Sequence, residues 1–313
     1  MHLALPDLNI EQVINKIKEL PTLPDVVFKV NEVVNDPSTS AQDLENVISR
    51  DQAIAAKVLK LVNSAFYGLP GRVDTLSRAI PLLGFSTVRN LVMSVSIFDL
   101  GAITGFDMKG FWRHSFATST IAQAIGRADG QPDAETQSLA GLLHDIGKVI
   151  MFQYFPKHTQ ALVELMDKKN VSFIQAEMTL LNVTHSEIGA AIADKWSFPP
   201  NIKAAIEFHH NPDSAGELSD FVSITAAANV LALRHDDRFV VEKGFESAAE
   251  FTEPFYNLTD NSYRAALREI EKQMQFFENF IDRMEAFRRP SPLLEQAASK
   301  TKGDSGIWTL PGE

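Results

Sequence analysis

The chain contains no cysteine, which removes disulfides, thiolate metal sites and thiol catalysis in one step. It also lacks any run approaching the ~18 apolar residues that a membrane span needs. The first residues, MHLALPDLNIEQV, place no basic segment ahead of a long apolar stretch, so no secretory leader is expected. Basic residues are in deficit: 29 Lys and Arg against 40 Asp and Glu give a formal net charge of −11. Proteins that grip a nucleic-acid backbone broadly present a basic surface. General nucleic-acid binding is therefore not expected, although one local pocket can still be positive enough for a small phosphorylated ligand. These absences fit a cytoplasmic protein with no membrane partner.

What remains is ordinary for a globular chain. Its 313 residues are 45% hydrophobic and 22% charged, enough to bury a large core and to form two globular units. The apolar period is helical almost everywhere. Ile10, Val13, Ile14, Ile17 and Leu20 repeat at i, i+3, i+4 and i+7, and Val26, Val27, Val30, Val33 and Val34 form a second stripe. Pro21 and Pro24 separate the two. Ser40 with Asp43 has the spacing of a capping box, Asp51 is placed to cap the next helix, which ends near Gly68, and Ser86 is placed to cap another. Gly101 to Gly105 reads as a junction. Beyond it, helices are expected over about 107–129, 133–155, 157–169, 172–181, 185–197, 200–210 and 219–235. Ser172 with Gln175 and Thr184 with Glu187 supply two further capping boxes. A charged helix over about 261–288 follows, and the stretch 290–313, rich in Ser, Gly, Lys and Pro, reads as a disordered tail. No strand is expected.

The chemistry concentrates in the middle of the chain, where five of its eight histidines fall in one ordered series between residues 114 and 210. His114 shares a helix face with Phe111, Thr118, Ile121 and Ile125, so it points inward. In GLLHDIGK (141–148), Asp145 shares a face with Leu142, Ile146 and Val149, while His144 projects about 100° away. A buried carboxylate needs a cation or several hydrogen bonds. Lys148, one turn beyond His144, can pair with Asp145 or meet a phosphate. His185 lies in the first turn of a helix capped by Thr184, where the helix dipole favours a neutral ring. His209 continues the inner face of Ile202, Ala205 and Ile206, His210 follows it, and Asn211-Pro212 stops the helix. Each histidine alone fits a satisfied core residue or a helix terminus at least as well as a metal ligand.

Their joint order is more specific. His114, then His144-Asp145, then His185, then His209-His210, then a late polar residue resembles the HD superfamily of metal-dependent phosphohydrolases. Within it, LPTLPDVV (20–27), ISRDQAIAAKVLKLVNSAFYG (48–68) and LSRAIPLLGFSTVRNLV (76–92) resemble the N-terminal half of HDOD domains. The resemblance covers about residues 12–235. It implies an all-α, multi-helix HDOD/HD-like fold: an N-terminal helical bundle (1–105) packed on a helical HD-type core (106–240), with a C-terminal extension (241–289). It further implies a metal set of His114, His144 and Asp145 completed by a late aspartate, with His185, His209 and His210 matching the ligands added in the two-metal branch. The late aspartate is replaced here by Asn229, and HHNPDSAG stands where a GYP-type segment would follow the paired histidines. Asparagine still offers an oxygen but removes one negative charge.

Two functions follow. HDOD proteins are regarded as signalling regulators that act through protein contacts after losing phosphohydrolase activity, and Asn229 supports that reading. A metal-dependent phosphohydrolase acting on a nucleotide or cyclic dinucleotide is the alternative, with Lys148 and Asp145 as its catalytic pair. The hydrolase needs a divalent transition metal such as iron or manganese and a nucleotide-type ligand; the regulator stands with or without a bound metal and has signalling proteins as partners; a metal- or nucleotide-binding sensor without turnover lies between the two. The 261–288 helix offers a homodimer or docking surface, or, more commonly for such a helix, packs on its own domain.

Overall fold

The computed structural model describes residues 12, 13, 15, 24–34, 36–62, 73–98, 106–131, 134–235 and 268. The expected first helix lies almost wholly outside them, as do the NSAFYG turn, the 101–105 junction, the 261–288 helix and the tail. Among the described residues every regular element is a helix, as the periodicity requires.

The N-terminal part contains α1 (Asp25–Val34), α2 (Ala41–Ile48), α3 (Gln52–Val62), α4 (Leu76–Leu83) and α5 (Phe85–Phe98). Val26, Val27 and Val30 are buried, so β-branching yields to the 3.6-residue stripe. The Ser40–Asp43 capping box forms. Asp51 accepts from the backbone N–H groups of Ala53 and Ile54, both at 3.0 Å, which starts α3. The start of α5 differs from expectation. Gly84, at φ 83°, ends α4 and lets α5 begin at Phe85, so Ser86 lies inside the first turn and is not the cap. The start of α4 is closed from a distance, because Glu45 on α2 accepts the Leu76 N–H at 3.0 Å while Thr75 makes no side-chain cap.

The second part begins with α6 (Met108–Ala128), capped by Asp107 through the Gly110 N–H at 2.9 Å. This helix is buried along most of its length, including the polar side chains of Arg113, His114, Ser115 and Thr118. The expected single helix over 133–155 is two: α7 (Ala134–Leu143) and α8 (Ile146–Tyr154). His144 and Asp145 form the turn between them, with Asp145 at φ −101°, ψ 12°. Then follow α9 (Pro156–Lys169), α10 (Phe173–Leu180), α11 (His185–Lys195), α12 (Pro200–Phe208), a 3₁₀ segment (Pro212–Leu218) and α13 (Ser219–His235). Both capping boxes, Ser172–Gln175 and Thr184–Glu187, are present.

One apolar cluster runs from Val30, Ile48 and Leu91 in the first part to Leu142, Val149, Ile188 and Ile206 in the second. A smaller one joins Ile121 and Ile125 of α6 to Ile224 and Leu231 of α13. Two glycines allow the close crossings that bring the histidine-bearing elements together. A Cβ on Gly141 would lie 2.8 Å from the Ser119 Cα of α6, and one on Gly147 would overlap the His185 carbonyl oxygen at the start of α11. Among the described residues no single helix is long and apolar enough to cross a membrane.

Candidate metal centre

The turn at His144-Asp145 converges with α6, the start of α11 and the end of α12. There the structure brings His114, His144, Asp145, Lys148, His185 and His209 together, all at most 2% exposed, with His210 partly open beside them. The break after Leu143 has a chemical consequence. Asp145 occupies the N-cap position of α8, yet its carboxylate makes no cap hydrogen bond. It turns inward, where Oδ2 lies 2.8 Å from Lys148 Nζ, 3.2 Å from His144 Nε2 and 3.8 Å from His114 Nε2. The other oxygen, Oδ1, faces His185 Nε2 at 3.3 Å and His209 Nε2 at 3.6 Å. One carboxylate therefore stands between two donor groups: His114, His144 and Asp145 on one side, His185, His209 and His210 on the other.

The tautomers follow from the partners. His144 Nδ1 lies 2.8 Å from the Gly141 carbonyl and His209 Nδ1 lies 2.9 Å from the Ile206 carbonyl. A carbonyl only accepts, so both Nδ1 atoms carry a proton, and in the neutral rings the Nε2 atoms present the lone pairs. His185 Nδ1 faces the Glu177 carboxylate at 2.7 Å, while the other Glu177 oxygen accepts the His185 backbone N–H at 2.8 Å. Nε2 atoms approach one another at 3.2 Å (His114 and His144), 3.4 Å (His185 and His209) and 3.1 Å (His210 and His185). Two nitrogens about 2.1 Å from one metal ion lie about 3.0–3.4 Å apart at octahedral or tetrahedral angles. Converging lone pairs at that spacing fit a shared cation, and imidazole with carboxylate suits a divalent transition ion.

Electrostatics divides the ligands. Burial opposes charge on Asp145, but His144 and Lys148 outweigh it and hold the carboxyl well below its ordinary range. Burial also opposes charge on His185, yet Glu177 raises the ring to about 9. This overturns the expectation that the helix N-terminus keeps His185 neutral, because a direct carboxylate exceeds the partial charge of the helix end. Burial lowers His209 to about 4 and, with the neighbouring histidines, puts His210 well below the usual range. A proton on His185 Nε2 and a metal ion at that nitrogen exclude each other.

Asn229 is 4% exposed on α13 and lines the cleft that reaches the histidines, with a buried Oδ1 that has no hydrogen-bond partner. The cleft has a volume of about 530 Å³ and is floored by His209 and His210. Ile174, Met178, Ala226, Val230 and Leu233 form its apolar walls, and among the described residues no Lys or Arg lines it.

Sequence reasoning missed Glu177. A lone glutamate on a short helix looks like a surface residue, but it shares a face of α10 with Phe173 and Ala176, and all three are buried. Its place on that apolar face was the available signal.

The HDOD domain family matches residues 20–212, which contain six of the seven candidate ligands. The chain belongs to the HDOD family. An uncharacterized protein of Treponema pallidum (strain Nichols) is 30% identical over 218 residues, covering 69% of this chain and 42% of that protein. The protein YuxH of Bacillus subtilis (strain 168) is 21% identical over 198 residues, covering 59% of this chain and 48% of its own length. The chain thus spans less than half the length of either curated relative. Among solved structures, an HDOD domain protein with unknown function from Geobacter sulfurreducens has a TM-score of 0.71 at 24% identity, covering 88% of this chain and 99% of that one. A Shewanella amazonensis SB2B protein named "putative phosphohydrolase" has a TM-score of 0.69 at 25% identity, covering 86% and 97%.

Proposed function

We propose that the chain is a bacterial, cytoplasmic signal-transduction module of HDOD type. In this reading it holds a divalent transition ion such as iron or manganese and acts on signalling proteins through contact, without turnover. The observation that carries the proposal is the charge around Asp145. The one carboxylate shared by both donor groups is ion-paired with Lys148 at 2.8 Å, and the late position offers the neutral amide of Asn229. A divalent ion bound here supplies Lewis-acid charge and a fixed anchor for a ligand entering the cleft. Asp145, held well below the carboxylate range, is a poor proton acceptor. The cleft walls contribute no cationic side chain to hold a phosphate. His144, His185 and His209, each fixed through Nδ1, supply the rigid donor set that the ion needs.

The alternative, a metal-dependent phosphohydrolase acting on a nucleotide or cyclic dinucleotide, is favoured by that same intact histidine set. There Lys148 would leave Asp145 to steady a phosphate. Incubation of manganese- or iron-loaded protein with nucleoside triphosphates and cyclic dinucleotides separates the two. The regulator predicts no released phosphate and no linearised product. Turnover that disappears in His209→Ala would overturn it. Homodimerisation and a nucleotide-type ligand bound without turnover belong to the same proposal.

A further inference from the structure

We propose a second ligand site, remote from the histidine cluster: the pocket lined by Arg89 and Arg127 binds a small phosphate ester of the size of a nucleoside monophosphate. The two guanidiniums take the phosphate, and the apolar wall of Leu83 and Phe85 takes the body of the ligand. The inference does not rest on the metal reading. Arg127 lies about 20 Å along α6 from His114, at ~1.5 Å per residue.

Three segments form the pocket: the loop between α1 and α2, the junction of α4 and α5, and the C-terminal end of α6. Its volume is about 380 Å³, within the ~300–1,000 Å³ usual for small-molecule sites. Arg89, on α5, is 1% exposed, so packing fixes its side chain before a ligand arrives. A buried cation is costly and is kept where anions meet it. Arg127, in the last turn of α6, lines the same pocket from the exposed side. Both residues also have other partners, but a guanidinium carries five N–H donors, more than one partner takes up. Its planar fork matches the oxygens of a phosphate in pairs. The first turn of α5 borders the same space through Phe85 and Thr87. The N–H groups of a first turn have no carbonyl partner within their helix and carry partial positive charge, which adds to the attraction for an anion.

Charge selects the class of ligand. Among the described residues that line the pocket there are two arginines and one aspartate. That aspartate, Asp36, turns its Oδ1 to Ser38, accepting from the backbone N–H at 2.8 Å and from the hydroxyl at 2.7 Å. The Thr39 hydroxyl is likewise committed, donating to the Val33 carbonyl at 2.7 Å. These loop groups close the wall and leave the arginines and the helix end to receive the ligand. The pocket is a local positive region on a chain of net charge −11. The histidine cleft has the opposite character, with Glu207 in its lining and no Lys or Arg among the described residues. A phosphorylated ligand that does not depend on a bound ion therefore finds its complement at Arg89 and Arg127. Leu83 and Phe85 supply the apolar part, and an aromatic ring such as Phe85 gives a planar base a face on which to stack.

The test titrates the full chain with adenosine monophosphate and with adenosine by isothermal calorimetry, with orthophosphate as competitor. Chelator is present, so that no ion at the histidines can hold the phosphate. The expected result is one nucleotide bound per chain, competition by orthophosphate, and adenosine weaker by about 10-fold or more, the worth of a hydrogen-bonded charge. Arg127→Gln changes an exposed side chain and should weaken the nucleotide by about 10-fold or more for the same reason. Arg89→Lys keeps the charge, loses the fork and should also weaken binding. Arg78→Gln, which removes an exposed arginine of α4 paired with Asp74, should leave the affinity unchanged, as should His209→Ala. No binding of the nucleotide at millimolar concentration, no competition by orthophosphate, or equal affinity for adenosine would overturn the inference. So would an affinity untouched by Arg127→Gln, or binding that disappears in His209→Ala. Each of these results leaves the metal reading standing. Should Arg89→Lys fail to fold, Arg127→Gln and the three probes decide the matter.

Discussion

Glu177→Gln is a one-atom substitution that should change which nitrogen of His185 carries the proton in the neutral form of the ring, the form that can bind an ion. Glu177 now accepts twice, from the His185 backbone N–H at 2.8 Å and from Nδ1 at 2.7 Å. Glutamine has one acceptor oxygen and one NH₂ donor. If its oxygen keeps the backbone N–H, its NH₂ faces Nδ1, which must then accept and pass its proton to Nε2. That nitrogen, which faces Asp145 Oδ1, His209 and His210, changes from a lone pair to a donor. If the amide turns over, the buried backbone N–H loses its acceptor instead. Loss of such an outer partner costs about 10–100-fold in metal affinity, or about 1.4–2.7 kcal/mol. The metal-free protein should lose about 1–3 kcal/mol for the mismatched buried group. Competition of Mn²⁺ against a chelator measures the first quantity and urea denaturation the second. Glu164→Gln, an equal charge change on the exposed face of α9, is the control. A folded Glu177→Gln protein with wild-type Mn²⁺ affinity would refute the assignment of the tautomer to Glu177.

Gly147→Ala should be among the most damaging alanine substitutions, because its Cβ would overlap the His185 carbonyl oxygen. Forcing α8 from α11 should cost about 1–3 kcal/mol or more in urea denaturation and lower metal affinity with it. Asn229→Asp should act in opposite directions: a lower melting temperature without metal, from an added buried carboxylate, and about 10-fold tighter Mn²⁺ binding. Equal stability changes with and without metal would place Asn229 outside the reach of the ion. In chelator-treated protein, His209 is lowered to about 4 from an ordinary 6.5. The unfolded chain then binds the extra proton, so stability should fall as pH drops from about 6.5 to about 4. His185, raised to about 9 from 6.5, adds stability that is complete below about 6.5 and lost as pH rises to about 9. Stability, measured by urea denaturation across pH, should therefore peak near 6.5, with the alkaline loss reduced in Glu177→Gln.

The parts of the fold that were legible in the sequence depend on short-range chemistry. Ser40 with Asp43, Ser172 with Gln175 and Thr184 with Glu187 lie three residues apart, and each pair forms the reciprocal cap that its side chains dictate. The burial of His114 followed from its place on the apolar face of α6. The break between α7 and α8 was not legible, because Leu139, Leu142, Ile146 and Val149 continue one helical stripe across it. What turns the chain there is tertiary, the passage of Gly141 against α6 and of Gly147 against α11. The Ser86 cap failed for a related reason: Gly84 reaches a positive φ and starts the helix early. The histidines showed themselves through order and number. Glu177 did not, since a single carboxylate carries no pattern beyond its helix face. The protonation of His185 is set by that unseen partner, and so the ring was expected neutral where Glu177 raises it to about 9.

The central claim is that the buried histidines and Asp145 form a metal centre and not a polar core. The most direct test is the metal content of the purified full chain, measured by plasma mass spectrometry before and after reloading with Mn²⁺ or Fe²⁺. The account predicts a stoichiometric transition metal that is lost in His209→Ala while the helical circular dichroism is retained. Wild-type protein that stays metal-free after reloading, with an unchanged melting temperature, would contradict it.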